Sequence, residues 1–129
     1  MFNLFKKKQD DSTDLDAAIK CMQKGQLDEA LRRADVIIEF GPDIALSHRF
    51  KGEVLFEMGR QTECRESFAK AEEVGGPGTE ELFFWRALSH ANEGHKDEAI
   101  SILRGYIDSP DAAPGMVAKC ESAITTIGG

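Results

Sequence analysis

The sequence lacks a hydrophobic run that approaches the roughly 18 residues needed to span a membrane, so no transmembrane helix is predicted. A secretory signal has positive charges before a longer apolar segment. Residues 1–8 (MFNLFKKK) instead carry their positive charges after the apolar residues, and the sequence that follows contains no such segment. We therefore expect a cytoplasmic protein. Its 129 residues have the length of one domain, and a hydrophobic content of 41% excludes a wholly disordered chain.

Catalytic and metal-binding signatures are also missing. The sequence has no glycine-rich phosphate loop, no nucleophile elbow and no paired Cys and His with a signature. The three histidines, at positions 48, 90 and 95, do not have the spacing of metal ligands. The segment 10–16 has acidic residues at positions 10, 11, 14 and 16, but it lacks the glycine and the final glutamate of a calcium loop. We predict a protein that is not an enzyme and that needs no metal or cofactor.

Cysteine is scarce, and the positions of Cys21, Cys64 and Cys120 argue against cross-links. An odd number of widely spaced cysteines does not form a disulfide framework, and no pair has the close spacing of a zinc site. We expect buried structural thiols.

Positive charge is deficient outside one short segment. The net charge is -7, and without Lys6, Lys7 and Lys8 the remaining 13 basic and 23 acidic residues give -10. Such an acidic body repels phosphate, which argues against nucleic-acid binding and favours neutral or basic partners.

An internal repeat is the main positive feature of the sequence. Residues 25–31 (GQLDEAL), 59–65 (GRQTECR) and 94–100 (GHKDEAI) share a glycine, an acidic residue four positions later and then a small residue. Their glycines lie 34 and 35 residues apart, and the glycine-rich segment 75–78 can absorb the extra residue. A period of this length is typical of stacked helical hairpins.

Helix-ending residues recur with the same period. Each of the three glycines is suited to the left-handed conformation at a helix C-terminus, and acidic residues follow at the start of the next helix. Prolines at positions 42, 77 and 110 close the second helix of each hairpin. The pattern predicts seven helices, near residues 12–24, 27–39, 44–58, 61–73, 79–93, 96–107 and 114–127.

The period and its small residues resemble those of the tetratricopeptide repeat (TPR) family, with W-x2-L-G-x2-Y in the first helix and A-x3-F in the second. The middle repeat reads His48-x2-Lys51-Gly52-x2-Leu55 and Cys64-x3-Phe68, the third reads Phe83-x2-Arg86-Ala87-x2-His90 and Ala99-x3-Leu103, and the first is reduced to Ala18-x2-Cys21 and Ala30-x3-Ala34. Lys51 and Arg86 stand where the family often has Leu, and their aliphatic stems can lie on apolar surface.

The resemblance implies an all-α fold, an α-α superhelix (solenoid) of three helix-turn-helix repeats plus a C-terminal capping helix. We expect a flexible leader over residues 1–11 and a single domain over 12–129, with repeats at about 12–43, 44–78 and 79–113 and the capping helix at about 114–127. Small residues should lie where the two helices of a hairpin cross, and Val117, Cys120 and Ile124 should form the packing face of the last helix.

A protein-binding function follows from the resemblance, because family members hold peptides on the concave face made by their first helices. The residues expected to line this groove are Leu15, Ile19, Met22, Leu46, Arg49, Glu53, Phe56, Phe84, Leu88 and Ala91. Among them, Arg49, Glu53, Phe56, Phe84 and Leu88 are the predicted partner contacts. Family members that bind the acidic tails of chaperones use a clamp of Lys, Asn and Arg on their first helices. The matching positions here hold none of these types, so we do not expect a chaperone-tail adaptor; they are Leu15, Ile19, Phe50, Glu81 and Trp85. The alternative is that the N-terminal tail or another copy of the protein fills the groove.

The aromatic segment Phe83-Phe84-Trp85 offers a second possible interface. Three consecutive helical residues span about 200 degrees, so they cannot all face one core. Phe83 should pack inside its repeat, whereas Phe84 and Trp85 are either covered by neighbouring helices or exposed as interface anchors. Exposure would favour the alternative function, a self-associating protein or a fixed structural subunit of a larger assembly. The leader Phe2–Lys8 is either a disordered start or a weak anchor that binds a membrane surface or a partner.

Overall fold

The chain is all-α over residues 13–128, the part that the computed structural model describes. Within that part there are seven helices and no strand. The helices are α1 (Leu15–Gln23), α2 (Leu27–Phe40), α3 (Ala45–Glu57), α4 (Gln61–Val74), α5 (Leu82–Asn92), α6 (Lys96–Ile107) and α7 (Pro114–Ile127). Every predicted helix is confirmed, and each boundary lies within three residues of its expected place. The leader, residues 1–11, lies outside the described residues.

Three turns with the same geometry join α1 to α2, α3 to α4 and α5 to α6. Gly25, Gly59 and Gly94 have positive φ angles of 79°, 79° and 86°. In each turn the glycine N–H donates to the carbonyl three residues earlier at 3.0 Å, and the next N–H donates to the carbonyl five residues earlier at 2.8–2.9 Å. This pair of bonds is the Schellman motif, which satisfies carbonyls at a helix end. The repeat in the sequence is therefore a repeat in backbone structure.

The second helix of each pair ends shortly before the expected proline. Helices α2, α4 and α6 end at Phe40, Val74 and Ile107, two or three residues before prolines 42, 77 and 110. Acidic side chains lie in the first turns of these three helices, where the positive end of the helix dipole favours them. The start of α5 is later than predicted. Thr79 lies outside the helix, and its hydroxyl donates to the Gly76 carbonyl at 3.0 Å.

The described residues divide into two compact units, the first ending at Thr79 and the second beginning at Glu80. The boundary falls where the third predicted repeat begins. In the first unit α1 packs on α2, α2 on α3 and α3 on α4, and α1 also contacts α3. One core cluster of this unit consists of Ala18, Ala30, Ala34, Ile37, Phe50 and Val54.

The second unit contains α5, α6 and α7, with α6 packed against both other helices. Its core cluster consists of Phe84, Ala87, Ala99, Leu103, Cys120 and Ile124. Cys120 and Ile124 confirm the expected packing face of α7. Val117 is only partly buried, and Met116 beside it packs against the cluster. The Phe83 ring stacks on Tyr106 of α6 at a centroid distance of 4.6 Å, so Phe83 packs inside its hairpin as predicted.

Small residues occupy the buried positions expected at the helix crossings. Ala18 and Ala30 in the first hairpin and Ala87 and Ala99 in the third are fully buried. In the middle hairpin Gly52 faces the ring of Phe68, and a Cβ added to Gly52 would lie only 2.4 Å from the nearest ring carbon. Close approach of the two helices at this point therefore requires glycine.

No cross-link or membrane span is found among the residues described. Cys21, Cys64 and Cys120 all lie in that range and form no disulfide. Cys64 and Cys120 are buried as predicted, whereas Cys21 is only partly buried against the first core. None of the helices between residues 13 and 128 has the length and apolar character required to cross a bilayer.

Candidate functional site

A groove between α1 and α3 is the best candidate site in the first unit. It encloses about 380 Å³, which is within the usual range of ligand sites. Its lining, called the α1–α3 groove below, consists of Leu15, Ile19, Met22, Gln23, Leu46, Arg49, Phe50 and Glu53. Six of these eight residues are among those that the repeat pattern of the sequence, called the repeat register below, predicts for the concave face.

The groove arises because the first helices of two successive hairpins contact each other along one side. On α1 the residues at positions 15, 19 and 22 recur at helical spacing and form one stripe. On α3 positions 46, 49, 50 and 53 do the same. Ala18, one residue before Ile19, is buried against the hairpin core and fixes which side of α1 remains open.

An ion pair forms the polar part of the groove. Arg49 Nε donates to Glu53 Oε2 at 2.8 Å, one helical turn along α3, and both side chains are about a quarter exposed or less. Arg49 Nη1 also donates to the Gly78 carbonyl at 3.3 Å. The guanidinium therefore joins the groove to the glycine-rich loop that follows α4. Leu46 lies against the same loop, since a Cβ on Gly78 would come within 2.5 Å of its side chain.

These contacts decide which ligand chemistry the groove can accept. Arg49 and Glu53 neutralise each other, so neither charge requires a counter-ion from a ligand. The other lining side chains are apolar, apart from Gln23. The α1–α3 groove therefore favours large apolar side chains presented by a segment of chain, with limited polar contact at its edge.

The remaining predicted site residues are not brought together in this groove. Phe56 lies one turn beyond Glu53, is partly buried and does not line the groove. In the second unit Phe84 is only 8% exposed and belongs to the core, with Lys119 Nζ 4.8 Å above its ring. Leu88 packs partly against that core. Phe84 is therefore covered, in part by α7, which leaves Trp85 as the partly exposed residue of the pair.

Phe50 is a groove residue that the register argument did not assign as a contact. It is 5% exposed and serves both the core of the first unit and the groove wall. Its position four residues after Leu46, on the same face of α3, is the sequence signal that could have identified it.

Two other cavities are more polar at their edges. One of about 270 Å³, next to α3 and α4, includes Lys51 and Lys70 together with Glu63 and Glu66. Lys51 pairs there with Asp35 of α2 at 2.8 Å. Two lysines and two glutamates line this cavity, so it does not select a ligand of one sign. In the second unit, a cavity of about 440 Å³ lies beside the Lys119–Glu81 pair, whose charged atoms are 3.5 Å apart.

Glu29 of α2 is the carboxyl group with the most strongly lowered pKa that the structure gives. Arg32 donates two hydrogen bonds to its carboxylate, from Nη2 to Oε2 at 2.6 Å and from Nε to Oε1 at 3.0 Å, and these lower the pKa of Glu29 to about 2. Arg33 Nε adds a third bond, to Oε2 at 3.0 Å. The cluster is partly exposed and lies outside the α1–α3 groove. It stabilises the start of α2 and has no evident role in binding.

Metal-binding clusters are not found in the described part of the chain, where no three His, Cys, Asp or Glu residues are placed to hold an ion. No family model, no curated protein and no solved structure matches this chain.

Proposed function

We propose that this protein is a non-catalytic interaction module of the tetratricopeptide type that binds a segment of another protein in the α1–α3 groove. The single observation that carries the proposal is the position of the groove. An open and largely apolar groove lies between two first helices, at residues that the repeat register selects in advance. The conclusion for function rests on the resemblance in repeat pattern and on the chemistry of this groove.

Two repeating features of the structure support the repeat assignment. The three Schellman turns are spaced by 34 and 35 residues and share the same hydrogen bonds. The buried small residues Ala30, Cys64 and Ala99 recur at the same spacing, five residues after the glycine of each turn. We propose that the hairpins belong to one solenoid, with α7 as its capping helix.

The ligand in this proposal is an amphipathic or extended segment with two or three large apolar side chains. Such a segment can bury its apolar residues against Leu15, Ile19 and Met22 on one wall and against Leu46 and Phe50 on the other. Burial of this kind contributes about 25 cal/mol per Å² of apolar surface, reduced by the entropy of ordering the segment.

The test uses a matched pair of variants of the full chain. Leu46 and Ile44 are 39% and 40% exposed, and only Leu46 lines the α1–α3 groove. Peptides selected from a displayed random library should bind the wild type and Ile44→Glu equally and should bind Leu46→Glu at least tenfold more weakly. Equal binding to both variants, or failure to select any peptide, would refute the proposal. Circular dichroism of both variants must show wild-type helix content.

Self-association is the alternative function, and the partly exposed Trp85 is the observation that favours it. Phe84 no longer supports it, because the structure buries that ring. A self-associating subunit should be oligomeric by light scattering at micromolar concentration, and Trp85→Ala should convert the oligomer to monomer. A monomeric wild-type protein would exclude this alternative at that concentration.

A further inference from the structure

The α1–α3 groove and the N-terminal leader have complementary chemistry. The leader begins with Phe2, Leu4 and Phe5, three large apolar side chains, and continues with Lys6-Lys-Lys8. The groove offers an apolar lining and an ion pair that is already neutral. We propose that residues 2–8 bind in the α1–α3 groove of their own chain and compete there with the partner segment. This inference rests on the groove being a binding site, as proposed above.

Charge favours this occupant over an acidic one. Residues 13–79 contain nine Lys and Arg and thirteen Asp and Glu, which gives the first unit a net charge of -4 without the leader. Two exposed carboxylates, Asp14 and Asp16, lie at the start of α1, beside the end of the groove formed by Leu15. Three consecutive lysines are therefore attracted to this end, and added salt should weaken the attraction.

The length of the connection allows binding within one molecule. Five residues, 9–13, separate the last lysine of the leader from Asp14, the N-cap residue of α1. Fully extended, they span about 17 Å at roughly 3.4 Å per residue. Helix α1 has nine residues and a length of about 13 Å at 1.5 Å per residue. The connection is therefore long enough for the leader to turn back and reach the whole α1 wall.

A short tether makes even a weak ligand effective. A segment held by a short flexible linker has an effective concentration on the order of millimolar at its site. A leader with an intrinsic dissociation constant of about 1 mM would then occupy about half of the grooves. A partner must displace it, so the apparent partner affinity falls in proportion to the fraction of open grooves.

Methyl NMR of the full chain tests this directly. Met22 lines the groove, whereas Met116 lies in the second unit. In protein labelled with 13C-methyl-methionine, the methyl group of Met22 is therefore the probe and that of Met116 is the reference. The variant Phe2→Ser/Phe5→Ser removes the apolar ligands, and Asn3→Ser is the matched control within the same segment. We expect the Met22 resonance to move in the double variant and to stay in the control, with Met116 unchanged in both.

The outcomes separate the possible occupants. A Met22 shift that is the same from 10 to 500 µM protein supports binding within one chain. A shift that appears only as concentration rises assigns the leader to a second copy and overturns the proposal. An unchanged Met22 resonance in the double variant also overturns it, because the leader rings are then absent from the groove.

A second measurement separates this inference from the proposed function. At the occupancy of about one half derived above, a library-selected groove peptide should bind Phe2→Ser/Phe5→Ser about twofold more tightly than the wild type. Equal affinities would overturn competition by the leader while leaving the groove a binding site. Failure to select any peptide, together with a Met22 shift, would refute the proposed function while leaving the leader in the groove.

Discussion

Replacing Gly52 by alanine tests the helix crossing on which the whole repeat register depends. Gly52 lies in α3, and an added Cβ would stand 2.4, 2.6 and 2.9 Å from three ring carbons of Phe68. Ordinary contact begins near 3.4 Å, so the ring or the helix must move by about 1 Å. Phe68 is fully buried, which leaves no open space for the ring to enter.

The expected loss is about 1–3 kcal/mol in the free energy of unfolding, the usual cost of overpacking a core. This loss opposes the intrinsic helix preference, because alanine is favoured over glycine in a helix by about 1 kcal/mol. The matched control is Gly105→Ala in α6, where the added Cβ meets nothing within 4 Å. The free energy of unfolding of that variant should rise by up to about 1 kcal/mol.

Urea unfolding followed by far-UV circular dichroism and by Trp85 fluorescence measures both variants. Trp85 fluorescence reports on the second unit, so a loss of stability that is confined to the first unit appears in circular dichroism alone. A double-mutant cycle adds specificity. Gly52→Ala should cost less in a Phe68→Leu background, with a coupling of about 0.5–3 kcal/mol. If Gly52→Ala were as stable as Gly105→Ala, this result would contradict the close approach of α3 and α4 at Gly52.

Three further predictions concern the core, the thiols and one ionised group. Ala99→Leu should lower the free energy of unfolding by about 1–3 kcal/mol, because Ala99 is fully buried; an unchanged thermal melt would contradict this. A thiol reagent at pH 8 should modify Cys21 fast and Cys64 and Cys120 slowly, since burial shields the latter two and raises the pKa of the Cys120 thiol; three equal rates would be inconsistent with this packing. The pKa of Glu29 is lowered to about 2, so its stabilising effect is complete above its ordinary value near 4.5 and is lost as the pH falls toward 2. Between those values the melting temperature should therefore fall less in Glu29→Gln than in the wild type, and parallel curves would argue against the Glu29 contacts.

Much of the helical structure could be predicted because its signals are local. A glycine that must adopt positive φ, an acidic residue after it and a proline beyond the second helix each act within a few residues. The boundaries of α1 and α5 were predicted too early. The Asp14 side chain accepts from the Asp16 N–H and starts α1 there, and the loop closed by Thr79 delays α5.

The candidate site was predictable only in part. The register identified Leu15, Ile19 and Leu46 because helical spacing fixes which residues share a face. It misjudged Phe84, because burial of that ring depends on how α7 lies against the core of the second unit, and neighbouring residues carry no signal for that. The link between Arg49 and the Gly78 carbonyl joins residues 29 positions apart and has no sequence pattern.

The sequence by itself determined the number of helices, their turns and the small residues at their crossings. These properties follow from backbone stereochemistry and from a repeating period, both of which are local. Tertiary structure alone decided that α1 and α3 leave a groove open, that Arg49 and Glu53 neutralise each other within it, and that Phe84 is covered while Trp85 remains partly exposed. The physical reason is that burial and ion pairing depend on distances between residues far apart in the chain, which are set when the helices pack.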